Sequence, residues 1–126
     1  MSKNPHIGIV IGSTRQGRFS ERAAAWFHKI AAPRTDLSFE IIDLRDYPMP
    51  FFDEPASPAW MPPKDKAAEH WAAKLAELDG FVFVTPEYNH GYSAVLKNAL
   101  GLCLPAIQPQ AGRLRRLWWC RRRSRD

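Results

Sequence analysis

Cysteine is scarce in this chain. Cys103 and Cys120 are the only two, both late, and neither belongs to a metal-ligand spacing. That pattern excludes a disulfide-stapled scaffold and a structural zinc site, and both thiols are expected to be reduced. Long apolar runs are also lacking: none approaches the roughly 20 residues that span a bilayer. Met1-Ser2-Lys3-Asn4-Pro5 leads straight into strand-like sequence with no signal-like apolar segment, so a cytoplasmic protein with no membrane partner is expected. Acidic side chains all but vanish at one end. Residues 1–100 carry 11 Lys+Arg against 12 Asp+Glu, whereas residues 101–126 carry 7 Arg against one Asp. The basic character therefore belongs to the tail, and any nucleic-acid or membrane reading must rest there.

What is present is one domain's worth of alternating elements in 126 residues. His6-Ile7-Gly8-Ile9-Val10-Ile11 is short, apolar and β-branched, as a strand buried on both faces would be. A helix is expected over Glu21–Ala32, with Ser20 as its N-cap and Pro33 as its stop. Leu37–Leu44 reads as a second strand. Of the eighteen residues Asp46–Pro63, six are proline, which excludes helix or interior strand and marks a lid, binding loop or partner surface. Its aromatics Tyr47, Phe51, Phe52 and Trp60 suit either a dimer contact or ligand cover, or simple packing of the loop on its own domain. Lys64–Leu78 has helical apolar spacing with Trp71 in the core, and His70 lies among charges with no catalytic part expected. Phe81-Val82-Phe83-Val84 is the third strand and Ala94–Leu100 the next helix.

The alternation implies a parallel sheet with right-handed crossovers, of order 2-1-3. Two polar loops would then be neighbours at the switch point. The first, Gly12-Ser13-Thr14-Arg15-Gln16-Gly17-Arg18-Phe19-Ser20, has the chemistry of a phosphate cradle: hydroxyls, two arginines, and a helix start with free N–H groups. It is not a P-loop, because Arg18 replaces the lysine and Phe19 the magnesium-binding hydroxyl. Nor do Gly8, Gly12 and Gly17 have the dinucleotide-fingerprint spacing. The second loop, Thr85-Pro86-Glu87-Tyr88-Asn89-His90-Gly91-Tyr92, suits a planar ring. A phosphate beside a ring is the shape of a mononucleotide.

Gly12-Ser13-Thr14-Arg15-Gln16-Gly17-Arg18, together with Pro86-Glu87-Tyr88-Asn89 and Leu96-Lys97-Asn98-Ala99, resembles the NADPH-dependent FMN reductase family, over roughly residues 5–100. The resemblance implies a flavodoxin-like doubly wound parallel sheet. It implies non-covalent FMN, with Ser13, Arg15, Arg18, Phe19 and Ser20 at the phosphate and Pro86, Glu87, Tyr88 and Asn89 at the isoalloxazine. It further implies NADPH (or NADH) docking transiently as hydride donor, and a homodimer or homotetramer that reduces free flavin, quinones, azo dyes or metal oxyanions. The flavin carries that chemistry, so no residue is expected to be an acid–base catalyst.

The likeness stops after Leu100, where no strand or helix period is visible. Residues 1–100 are thus expected to be the N-terminal part of an FMN-binding domain, with the sheet truncated after the third strand and following helix. That leaves the third strand an open edge and flavin binding weak. Tryptophan has a single codon, and Trp118-Trp119 read one base later gives Gly-Gly. In that frame Gln108 to Arg123 can read Asn-Arg-Lys-Pro-Ala-Gly-Phe-Val-Gly-Tyr-Gly-Gly-Val-Gly-Gly, a strand and a glycine-rich loop, which is what the family needs next. Residues 101–126 are therefore expected to be a disordered, frame-shifted readout. The competing readings are a flavodoxin-like electron carrier without turnover, and a nucleic-acid binder acting through the Arg- and Trp-rich tail.

Overall fold

The computed structural model describes residues 4–103 and the backbone of residues 117–121. Four parallel strands lie in the order β2-β1-β3-β4: β1 is His6–Ile11, β2 Ser38–Asp43, β3 Gly80–Thr85 and β4 Leu117–Arg121. The helices are α1 (Ser20–Ala31), α2 (Lys66–Ala76) and α3 (Ala94–Leu102).

Strand alternation divides the core in two. Ile9, Ile11, Val82 and Val84 face α1 and pack on Ala24, while Val10, Phe81 and Phe83 face the opposite side. There they meet Trp71 and Leu75 of α2 and Leu96 and Ala99 of α3. Trp71 is fully buried, as its helical spacing predicts, and its indole N–H donates to the Ala99 carbonyl at 3.0 Å. β3 is buried along its whole length, whereas in β2, at the sheet margin, only Ile42 is fully buried. Asp65 caps α2 by accepting from the Ala68 N–H at 3.0 Å, so that helix starts two residues after the predicted Lys64.

The loop aromatics divide between the two readings. Tyr47 is packed on its own domain, since its ring lies 5.1 Å from that of Trp71 and closes the α2 side of the core. The other loop aromatics stay out, with Phe51 80% and Trp60 87% exposed. One expectation is corrected: β3 is not an open edge. β4 pairs with it in parallel, Phe81 opposite Leu117 and Thr85 opposite Arg121. An exposed strand margin is a row of unpaired N–H and C=O groups, and Leu-Trp-Trp-Cys is a β-favouring run able to satisfy it. A strand thus lies inside the tail that was expected to be disordered. The remainder of the tail, including Arg113, Arg115 and Arg116, falls outside the described residues.

Candidate flavin phosphate site

The carboxyl ends of β1 and β3 are tied together. The Gly12 N–H donates to the Val84 carbonyl at 2.8 Å, and the Ser93 hydroxyl donates to the Gly12 carbonyl. Ser93 also caps α3, accepting from the Leu96 N–H at 3.2 Å, and its own N–H reaches the Thr85 hydroxyl at 3.4 Å. A Cβ on Gly12 would lie 3.0 Å from Leu96 Cδ2 and 3.2 Å from the Val84 carbonyl oxygen, so this close approach needs glycine. The two loops are consequently neighbours at the switch point, as the 2-1-3 order requires.

In the first loop, Gly17 turns the chain with φ of 68°. Ser13 is buried and accepts from the Arg15 N–H at 3.4 Å. The Arg15 side chain is exposed and folds back on the carbonyls of Gln16 and Gly17, at 3.1 and 3.4 Å. Ser20 is not the N-cap. That position is Phe19, in helical geometry and without a side-chain cap, and its carbonyl accepts from the N–H groups of Arg22 and Ala23. Ser20 therefore begins the helix proper, and its hydroxyl oxygen is buried with no hydrogen-bond partner. A buried orphan hydroxyl is costly unless something else satisfies it. Here it stands in the first turn of α1, where N–H groups and the helix dipole favour an anion. Ser13, Arg15 and Ser20 thus fit a phosphate. Phe19 is half exposed, with the Arg22 guanidinium 5.7 Å from its ring centre, and its side chain has no polar atom, so only its backbone could serve a phosphate.

Arg18 departs from the sequence expectation. Its side chain is only 2% exposed and turns inward to Asp43, Glu21 and the Ser13 carbonyl. The guanidinium beside Asp43 holds that carboxyl below its ordinary range, against the opposing effect of burial. Sequence pattern alone did not single out Asp43, Arg45 or Ser93. Their positions at strand and helix ends are the only signal that was available.

In the second loop Pro86 and Glu87 are half-buried, while Tyr88 and Asn89 are exposed beside the site. Tyr88 and Gly91 exchange two backbone hydrogen bonds at 2.9 Å across Asn89 and His90, which have φ of 49° and 65°. Two successive left-handed residues make the tight turn of type I′. Asn tolerates that geometry, whereas His does so at some cost. The Glu87 carboxylate lies 3.6 Å from the imidazole Nδ1 of His90.

A cleft of about 360 Å³ opens beside the first loop, bordered by Thr14, Arg45, Met49, Phe51, Val95 and Asn98. Asn98 fixes its outer wall: its amide donates to the Pro50 carbonyl at 2.8 Å and accepts from the Phe52 N–H at 2.9 Å. Cys103 takes no part, because burial pushes its thiol up to about 12 and its sulfur donates to the Ala99 carbonyl. Among the described residues no helix is long and apolar enough to cross a membrane.

Parallel strands in the order β2-β1-β3 with helices on both faces, and two neighbouring loops at the carboxyl ends of β1 and β3, define a flavodoxin-like fold. The chain belongs to the NADPH-dependent FMN reductase family, whose match covers residues 5–113 and so runs past the limit of 100 expected from the motifs. It is 42% identical over 99 residues to an NAD(P)H-dependent FMN reductase of Schizosaccharomyces pombe, covering 76% of this chain and 49% of that one. It is 32% identical over 116 residues to a quinone reductase of Escherichia coli, covering 90% of this chain and 58% of that one. Among solved structures, FerB, a flavoenzyme NAD(P)H:(acceptor) oxidoreductase of Paracoccus denitrificans, superposes with a TM-score of 0.62 at 17% identity. That superposition covers 91% of this chain and 60% of FerB. The chain thus spans about half the length of the curated relatives it matches.

Proposed function

We propose that this chain supplies the phosphate-binding and ring-facing loops of an NAD(P)H-dependent flavin or quinone reductase. FMN would lie with its phosphate on Ser13, Arg15, Ser20 and the start of α1, and its ring against Pro86, Glu87, Tyr88 and Asn89. The observation that carries this is the buried, partnerless Ser20 hydroxyl at the start of α1, next to the joined ends of β1 and β3. Bound FMN would supply acceptance and onward transfer of hydride from NADPH or NADH. The chain's own groups bind and orient. Arg15 can swing from its two backbone acceptors to an incoming phosphate, and the Asn89-His90 turn holds Tyr88 in place. The acceptor class is free flavin, quinone, azo dye or metal oxyanion. The cytoplasm, where reduced nicotinamide nucleotides supply hydride, is the proposed location. A homodimer or homotetramer is proposed with it, for which Phe51 and Trp60 are exposed contact candidates.

The family's third flavin loop has no counterpart among the described residues, so the phosphate should dominate recognition. FMN is expected to bind at least about ten-fold more tightly than riboflavin, one charge-assisted contact being worth ~1.5–3 kcal/mol. Flavin fluorescence titration reads this directly. Equal affinity for the two flavins would refute the phosphate site. NADPH consumption with a quinone then separates a reductase from a passive carrier. The tail belongs to the same proposal: the part of it beyond the family match, residues 114–126, is a frame-shifted readout, checked by the nucleotide sequence of codons 98–126. A second frame that closes quickly would overturn it.

A further inference from the structure

Resting on that phosphate site, we propose that Arg18 and Asp43 are positioning residues that aim the first loop, and that Arg18 makes no contact with phosphate. All five guanidinium N–H groups of Arg18 are taken. Nε donates to Glu21 at 3.1 Å, Nη1 to Asp43 at 2.7 Å and to the Ser13 carbonyl, and Nη2 to the second Asp43 oxygen and to Glu21. Asp43, the last residue of β2, also accepts the Arg45 N–H at 2.9 Å. Arg45 then reaches back to the same loop, donating to the Thr14 carbonyl at 3.3 Å, the Arg15 carbonyl at 2.8 Å and Glu21 at 3.3 Å. Three consecutive carbonyls, those of Ser13, Thr14 and Arg15, are therefore held by two arginines anchored at the end of β2.

The consequence for an anion follows from peptide geometry. In a trans peptide the carbonyl and the next N–H point in opposite directions. Carbonyls drawn toward β2 leave the N–H groups of Thr14 and Gln16 turned the other way, with that of Arg15 on the Ser13 hydroxyl, and the guanidinium groups offset the carbonyl dipoles that would repel a phosphate. The loop is thus shaped before the ligand arrives, which lowers the entropic cost of binding.

The decisive variant is Asp43→Asn. It removes a negative charge close to the proposed phosphate, so electrostatics alone would tighten FMN binding. Positioning gives the opposite sign: FMN affinity is expected to fall about ten-fold, a loss of the size of one charge-assisted contact. Riboflavin affinity should stay unchanged, with far-UV circular dichroism confirming the fold. Arg18→Lys keeps the charge but cannot form the fork, and should lose FMN to a similar extent. Arg45→Lys, at an exposed position, serves if the buried pair will not tolerate change, and should weaken FMN by a few-fold without altering riboflavin. Unchanged or tighter FMN binding in Asp43→Asn, or unchanged binding in Arg45→Lys, overturns the proposal. A wild-type chain that does not prefer FMN to riboflavin overturns the phosphate site itself, and this proposal with it.

Discussion

Trp71→Ala is expected to destabilise the domain by about 4 kcal/mol, within the ~3–5 kcal/mol of other buried aromatic truncations. Trp71 lies between the Tyr47 ring, α3 and the Phe81–Phe83 face of the sheet, with no exposed surface. Its loss would leave a void where β1, β3, α2 and α3 converge. The Ala99 carbonyl would lose the indole donor but keep the Cys103 sulfhydryl at 2.8 Å, so the effect is chiefly one of cavity and contact rather than an orphaned acceptor. Small domains hold only about 5–15 kcal/mol in total, so the variant should unfold at a much lower urea concentration. Circular dichroism at increasing urea measures the shift. A loss below about 1.5 kcal/mol would mean that the neighbours collapse into the space and that Trp71 is no keystone.

The second large effect is expected at the junction of the two loops. In Gly12→Val the new Cβ would already press on Leu96 Cδ2, Thr85 Cβ and the Val84 carbonyl, and the two added methyl groups would need further room. The first loop would have to lift off β3, breaking the Gly12–Val84 hydrogen bond and the Ser93–Gly12 contact together. Overpacking of this kind costs about 1–3 kcal/mol. The functional loss should be larger than the stability loss suggests, because both flavin loops depend on that junction. FMN binding should fall by more than about ten-fold, equivalent to ~1.4 kcal/mol or more, and riboflavin binding should fall as well. The simultaneous loss distinguishes this variant from Asp43→Asn, in which riboflavin is spared. Retention of FMN by Gly12→Val would show that the loops do not need each other.

Much of this architecture is legible in the amino-acid sequence because it rests on local periodicity. The run His6–Ile11 forms β1 with its predicted bounds, and the 2-1-3 order follows from alternating elements. Misplaced features are those that depend on partners distant in the chain. Arg18 reads as a phosphate ligand because it sits in a phosphate-like loop. Its partner in the structure, Asp43, lies twenty-five residues away and meets it only once β2 pairs with β1. Ser20 reads as an N-cap because serine favours that position, yet the chain enters the helix one residue earlier through Phe19. Tyr47 reads equally as an exposed contact or as packed on its own domain, and only the packing of Trp71 reveals a socket for it. β4 was invisible because an Arg-rich tail has no strand period, and it is the margin of β3 that recruits it.

The two faces of the sheet are unequally covered: α2 and α3 share the larger core, while α1 alone covers the smaller one. Backbone amides of α1 should therefore exchange with solvent deuterium sooner than those of β1 and β3, since local opening follows the apolar contact that must be broken. α1 is also the helix that carries Ser20. The helix proposed to meet the phosphate is thus expected to open more readily than the strands beneath it, and FMN should slow α1 exchange while leaving the slow α2 amides unchanged.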